Sequence, residues 1–248
     1  MQEKANLQWT WIAVAAVLAV GLMLSSWIVS NGMLKLKASG NSITVTGSAK
    51  QQLKSDLAVW TGMFTAQSPE LTGAYAKLKN SQDKVKNYLV EKGFTEKDII
   101  FSSINTDIRY VLLANGQYSN QVESYRLSQN VEIRSDQVDQ VAALSREATD
   151  LINQEVEFYS NPPQFFYTKI ADLKVEMLSL ATQDALKRAE QIASNSNSKV
   201  GALRGAKMGV FQITPLYSNE ISDYGINDTS SLDKEITAVM NCEFEVNK

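Results

Sequence analysis

One uninterrupted apolar stretch near the start of the sequence constrains this chain more than any other feature. Residues 9–29, WTWIAVAAVLAVGLMLSSWIV, contain no charged side chain. At a helical rise of about 1.5 Å per residue, the stretch spans roughly 31 Å, the thickness of one hydrocarbon core. Trp9 and Trp11 at one end and Trp27 at the other suit the headgroup boundary, where indole rings are enriched. The stretch therefore predicts one transmembrane helix with these three tryptophans at the membrane interface.

The alternative for the same stretch is a cleaved signal peptide. The apolar region of a signal peptide usually covers only about 7–15 residues and is followed by a small-x-small cleavage site. The stretch here is longer, and no clean site of that kind follows it. Length therefore favours an uncleaved anchor. Lys4 before the stretch and Lys35 and Lys37 after it nearly balance, so charge alone does not decide the orientation.

Small residues recur one helical turn apart within the stretch. The pairs are Ala15 with Ala19 and Gly21 with Ser25. Such pairs let two helix backbones approach closely in lipid, where packing replaces the hydrophobic driving force. Alanine and glycine are also common in membrane helices generally. The pattern therefore permits helix packing at these four positions without requiring it.

Composition narrows the chemistry that the rest of the chain can perform. The sequence contains no histidine and one cysteine, and its formal net charge is -3. The absence of histidine excludes nucleophilic systems that need this residue and imidazole metal sites. The single cysteine excludes an intramolecular disulfide. The chain has no surplus of basic residues, so its charge does not indicate nucleic acid as a partner. An enzyme would have to depend on Asp, Glu, Lys or Tyr arranged by the fold, an alternative that no pattern in the sequence supports. We expect no enzyme activity, no catalytic residues, no metal and no cofactor.

The remaining sequence divides into a short tail at 1–8, a glycine-flanked spacer at 30–40 and a folded region at 41–248. Within that region, strand-like segments at 42–47 and 57–66 precede a helix that begins after Pro69 and ends before Gly93. A second strand pair follows at 99–113 and 125–134, joined through the hairpin signal Asn115-Gly116 and followed by a helix. The order predicts an α+β fold built from tandem ββα-type units, with a mostly antiparallel sheet and packed helices.

The C-terminal third continues the same mixture of elements. A strand at 155–160 is followed by a Pro162-Pro163 break, a long helix at about 168–194 and closing strands near 206–214 and 235–246. Between the closing strands lies a polar, turn-rich loop. The aromatic run Phe165, Phe166 and Tyr167, directly after the two prolines, is a possible subunit contact, because such clusters often serve interfaces. Packing within one chain is equally compatible with the run.

Several strings, taken in order, resemble the SIMPL-domain family of bacterial envelope proteins. They are ITVTGSAKQQLKSDLAV at 43–59, LVEKGFTEKDIIFSSINTDIRY at 89–110, the alternating strand at 125–134 and DALKRAEQIASNSNSKVGALRG at 184–205. The resemblance covers roughly residues 41–247. Ser55-Asp56 departs from it, since the family usually shows Pro-Asp before its second strand.

The resemblance implies an α+β domain on the periplasmic or extracellular side, ring-like homo-oligomers and an association with envelope integrity and stress. It implies no catalytic residues. Together with residues 9–29, it predicts a single-pass protein of the bacterial inner membrane with the bulk of the chain in the periplasm. We expect a self-assembling scaffold whose partners are its own copies and the bilayer. The alternative is a single-pass module that binds a ligand or a partner in the periplasm.

Overall fold

The computed structural model describes residues 18–31 and 41–247. Residues 18–31 form a helix, α1. Its large apolar side chains are exposed all around the helix, among them Leu22, Met23, Trp27 and Ile28. No helix in the described ranges is both long and apolar enough to cross a membrane.

The folded region alternates strands and helices, which confirms the predicted α+β class. The elements are β1 Ser42–Lys54, β2 Leu57–Ser68, α2 Leu71–Glu91, β3 Ile99–Phe101, β4 Asn105–Leu112, β5 Tyr118–Ser135, α3 Val138–Glu147, a 3₁₀ helix Ala148–Gln154, β6 Glu157–Ser160, β7 Gln164–Phe166, α4 Ile170–Asn195, β8 Lys199–Met208, β9 Gln212–Pro215, β10 Ile226–Asn227 and β11 Asp233–Asn247.

The strands form two sheets. In the six-stranded sheet the order is β3-β5-β2-β6, with β4 also beside β5 and β7 also beside β2. In the five-stranded sheet the order is β1-β11-β9-β10, with β8 also beside β11. Strand β5 pairs antiparallel with β2, β3 and β4, β2 with β6 and β7, and β11 with β8 and β9, whereas β10 lies parallel to β9. The first predicted ββα unit therefore differs from expectation, because its two strands, β1 and β2, belong to different sheets.

By contacts the chain divides into two compact units. Of the described residues, one unit comprises 18–31, 41–49, 178–209 and 239–247; the other comprises Lys50–Met177 and Val210–Ala238. In the second unit, β2 and β5 pair along their lengths, with Trp60 opposite Ile133. Helix α2 packs on that pair and completes a core that includes Phe64, Leu78 and Leu89. Burial of these large apolar side chains is the main stabilising contribution to this unit.

In the first unit, β1 makes a close backbone approach to the second half of α4. A Cβ added to Gly47 would lie closer than 3.0 Å to the Ala181 carbonyl oxygen and the Ala185 amide. Ser48 donates its amide to the Asp184 carboxylate at 2.8 Å, and this bond holds the pKa of Asp184 below its ordinary value. Glycine is therefore needed at position 47 for packing rather than for an unusual backbone angle.

Candidate functional site

A buried lysine at the start of β11 marks the most unusual site in the described structure. Lys234 is 2 % exposed, although lysine is almost never fully buried without partners. It alternates in register with Ile236, Ala238 and Met240, so the pleat of β11 turns its side chain toward the protein interior. The backbone at this point is fixed by pairing with β9, with Lys234 opposite Pro215.

The Lys234 ammonium group is held by oxygen atoms from two other segments. Its Nζ donates to the Phe165 carbonyl oxygen at 3.0 Å and to the Asp228 carbonyl oxygen. The Asp228 carboxylate lies 3.5 Å from the same nitrogen. Burial, which disfavours the charged form, outweighs the attraction of Asp228 and lowers the pKa of Lys234. The ammonium group therefore joins β7, the segment after β10 and the beginning of β11.

Asp228 has its own set of donors. Its carboxylate accepts from the Ser230 amide at 2.9 Å, the Ser230 hydroxyl at 2.7 Å and the Ser231 amide at 3.2 Å. Burial raises the pKa of this carboxyl, but the hydrogen bonds from Ser230 and Ser231 and the charge of Lys234 together exceed that effect and hold the pKa below its ordinary value. Asp228 is therefore an ionised partner for Lys234.

The predicted aromatic run lies directly beside this ion pair. Phe165 is 6 % exposed and Phe166 and Tyr167 are half-buried. The backbone of β7 pairs with β2, where Ala58 lies opposite Phe165. A cavity of about 140 Å³ is lined by the run and its neighbours: Phe165, Phe166, Tyr167, Ile170, Ile213, Asn227, Asp228, Thr229 and Lys234. The run that the sequence singled out as a possible subunit contact therefore lines this cavity, and a contact of the run with a second copy stays a prediction.

Ser55-Asp56, where the sequence departs from the Pro-Asp of the family, contacts the segments around Lys234. The Ser55 amide donates to the Leu232 carbonyl at 2.9 Å, a bond that a proline at this position could not make. The Asp56 carboxylate accepts from the Thr168 amide and hydroxyl, both at 2.7 Å. The two residues thus connect the beginning of β2 to the segments that surround Lys234.

This arrangement suits a structural junction better than a reaction centre. The Lys234 amine is occupied by three oxygen atoms, and general-base or nucleophilic work would require its release from them. Across residues 18–31 and 41–247, no group of three or more Cys, Asp or Glu side chains is placed to hold a metal ion. The carboxylates Glu243 and Glu245 lie on the face of β11 opposite its buried residues.

The predicted membrane and packing residues fall partly within the described helix. Trp9, Trp11 and Ala15 lie outside the described residues. Ala19 and Gly21 are exposed on α1, and the Ser25 hydroxyl donates to the Gly21 carbonyl at 2.8 Å. Trp27 is 67 % exposed. These positions are accessible for the packing and interface roles predicted from the sequence.

Sequence reasoning missed Lys234, although the signal was present. The strict alternation of buried residues in β11 extends back to position 234, so a lysine there sits at an inward position. An inward lysine in a regular strand predicts a buried ion pair, because an unpaired ammonium group is too costly to bury. Its acceptors could not be found the same way, since two of them are backbone carbonyls, which no side-chain pattern reveals, and the carbonyl of Phe165 lies 69 positions away.

Comparison with known proteins finds a family that matches most of the folded region. The model of the SIMPL family, described as a protein of unknown function (DUF541), matches residues 43–244. No curated protein matches the chain.

Proposed function

The chain belongs to the SIMPL family (DUF541), and on that premise we propose that it is a non-enzymatic scaffold of the bacterial envelope. In this proposal a single helix within residues 9–29 anchors it in the inner membrane, the folded region lies in the periplasm, and its copies assemble into a ring-like homo-oligomer that supports envelope integrity under stress.

The observation that carries the anchor is the exposure of α1. Leu18, Leu22, Met23 and Ile28 are each more than half exposed, and they point in different directions around the helix. A helix that is apolar on all sides is stable only when it is buried in protein or in lipid. The described chain covers none of these side chains, so lipid or a second copy is the environment that suits them.

Two features support assembly with other copies. Gly21 on α1 has open space where a Cβ would lie, so a second helix could approach its backbone. Phe166 and Tyr167 line the Lys234 cavity and are half-buried, so part of their aromatic surface is open to a second copy. Both features are compatible with the ring-like assembly that the family resemblance implies.

The anchor is tested with two matched substitutions. Leu22→Arg places a charge on α1, where an arginine in the middle of a membrane helix costs about 2.5–3.5 kcal/mol. Val175→Arg is the control, since Val175 is 68 % exposed on α4 in the folded region. In carbonate-washed membranes we expect the unaltered chain and the Val175 variant in the pellet and the Leu22 variant depleted from it. An unaltered chain that washes off the membranes would contradict the anchor.

Assembly is tested by light scattering on the detergent-extracted full chain, with the detergent mass subtracted. A particle of several chains supports the scaffold, and electron micrographs of the same sample would reveal a ring. A strictly monomeric particle refutes self-assembly.

One observation favours the alternative of a periplasmic binding or sensor module. The loop between β9 and β10 exposes three large side chains: Tyr217 is 88 % exposed, Ile221 83 % and Tyr224 98 %. Crosslinking in intact membranes followed by purification would recover a partner that is lost when Tyr217 and Tyr224 are replaced by serine. Recovery of the chain alone would leave the scaffold as the better proposal.

A further inference from the structure

Strand β4 is an open edge of the six-stranded sheet. It pairs with β5 on one side, and within residues 18–31 and 41–247 no strand pairs with its other side. Seven of its eight residues are exposed. An exposed edge offers a row of free backbone donors and acceptors to another strand, and proteins usually protect such edges.

The geometry of β4 suits the addition of another strand. Its pairing with β5 runs from Asn105 to Arg109 without interruption, and the register then shifts. Tyr110 pairs with Val122 and Leu112 with Tyr118, so the extra residues at both shifts belong to β5. Strand β4 therefore keeps regular alternation, with Ile108 and Tyr110 on one face and Asp107 and Arg109 on the other.

The charges on β4 are self-complementary around Ile108. If a second β4 pairs antiparallel so that Ile108 of each copy lies opposite the other, Asp107 of each copy lies opposite Arg109 of the other. A two-fold contact thus gains two opposite-charge pairs directly across the strands, a favourable arrangement in antiparallel sheets. Within one chain Asp107 and Arg109 already form an ion pair of 3.1 Å, so both side chains project from the same face of β4.

An apolar groove lies next to this edge. It has a volume of about 450 Å³ and is lined by Leu71, Thr72, Tyr75, Ile104, Thr106 and Leu127. In the same register Thr106 lies opposite Tyr110 of the second copy, which places that aromatic ring beside the groove. Leu71 and Tyr75 are nearly half exposed, and the ring of Tyr110 would cover part of this apolar surface.

We propose that β4 is a two-fold contact between copies of this chain, with Ile108 on the symmetry axis and Tyr110 of each copy packed against the groove of the other. The inference rests on the self-assembly put forward above and specifies one of the surfaces that it needs: the two-fold contact joins two copies, and closure of a ring requires a second, different contact. The β4 contact makes the two six-stranded sheets continuous.

A single cysteine tests the register. In the full chain, Ile108→Cys places two thiols opposite each other, with Cα atoms about 4.5–5.5 Å apart, which suits a disulfide. Thr106→Cys is the control, because its two copies are four positions apart along the strands, about 13 Å. The native Cys242 is buried and does not compete. We expect mild oxidation to give a crosslinked dimer with Ile108→Cys and none with Thr106→Cys.

A charge exchange tests the pairing without a crosslink. Asp107→Arg and Arg109→Asp each place like charges across the contact, whereas the double variant restores opposite charges. We expect each single variant to weaken association in sedimentation experiments by about tenfold and the double variant to recover it. Unchanged circular dichroism would show that the variants remain folded.

The outcomes separate this inference from the scaffold proposal. Assemblies that persist in every variant, with no crosslink at position 108, would overturn the β4 contact and leave self-assembly standing. A crosslink at 106 as efficient as that at 108 would overturn the register. A chain that is monomeric before any substitution would refute self-assembly and the β4 contact together.

Discussion

Replacing Lys234 with methionine tests whether the buried ion pair holds its three segments together. Methionine keeps an unbranched side chain of similar length, with a thioether sulfur in place of one methylene, and lacks the ammonium group. The substitution leaves the carbonyl oxygens of Phe165 and Asp228 without their donor and leaves the Asp228 carboxylate buried without its cation. The cost therefore comes from the unpaired partners rather than from a cavity.

The magnitude follows from what remains around Asp228. Removing one partner of a buried ion pair typically costs about 3–5 kcal/mol. The hydrogen bonds from Ser230 and Ser231 stay in place and still satisfy the Asp228 carboxylate. The lower end of the range, about 3 kcal/mol, is therefore expected for the second unit.

Amide hydrogen exchange gives the most direct measurement. The Phe165 amide donates to the Thr229 carbonyl at 2.8 Å, and the Asp228 amide donates to the Ile213 carbonyl at 2.9 Å. When exchange follows local opening, a loss of about 3 kcal/mol speeds both amides by more than about 100-fold. Lys54→Met is the matched control, because Lys54 pairs with Asp139 on the surface, with side chains 52 % and 70 % exposed. For Lys54→Met we expect little change in the exchange rates of the Phe165 and Asp228 amides.

The reasoning is refuted if Lys234→Met changes exchange at Phe165 and Asp228 by less than about threefold, which corresponds to well under 1 kcal/mol. A second measurement separates the pair from its surroundings. In a double-mutant cycle with Asp228→Asn, the two substitutions should be non-additive by at least about 1 kcal/mol. Additive effects would mean that the two side chains contribute independently.

Two further predictions concern the first unit. Gly47→Ala forces β1 away from α4, because the new Cβ would overlap the backbone of Ala181 and Ala185. We expect a loss of about 1–3 kcal/mol, seen as a fall of several degrees in the melting temperature. Gly205→Ala is the control, with its nearest atom 3.8 Å away, and an equal effect of both variants would contradict the packing argument. The second prediction concerns acid. The hydrogen bond from Ser48 lowers the pKa of Asp184 in the folded state below the ordinary value of 3.8. Its stabilising contribution is therefore present above about pH 4 and is lost as the pH falls through the lowered folded pKa. In thermal unfolding, Asp184→Asn should make stability depend less steeply on pH below pH 4. An unchanged slope would mean that Asp184 does not contribute to the acid sensitivity.

Local signals predicted the elements well. The alternation at 125–134 predicts that Leu127, Val131 and Ile133 share one face of the strand, and the structure buries all three. The turn at Asn115-Gly116 and the helix end at Gly93 both contain glycine with positive φ, 80° and 90°. These features depend on periodicity and backbone preference within a few residues, so the sequence contains them directly.

Helix faces were predicted less well. The helical spacing at about 168–194 predicts an apolar face that mixes large residues and alanines, and only some of them are buried. Leu180, Leu186 and Ile192 are each more than one-third exposed. The predicted alanines at 181, 189 and 193 are buried, together with the alanine at 185. The close approach of Gly47 explains the difference, because a backbone that nearly touches the helix leaves room only for small side chains.

The sequence by itself was enough to identify the apolar stretch and to predict the order of strands and helices, the inward faces of the strands and the family. Tertiary structure alone decided that β1 and β2 enter different sheets, that Leu180 and Leu186 of α4 stay exposed, and that Lys234 contacts Phe165 and Asp228. The physical reason is the separation in sequence between the residues that specify each feature. Periodicity is written in neighbouring residues, whereas a carbonyl that accepts from a lysine 69 positions away is chosen only when the folded chain excludes water from both.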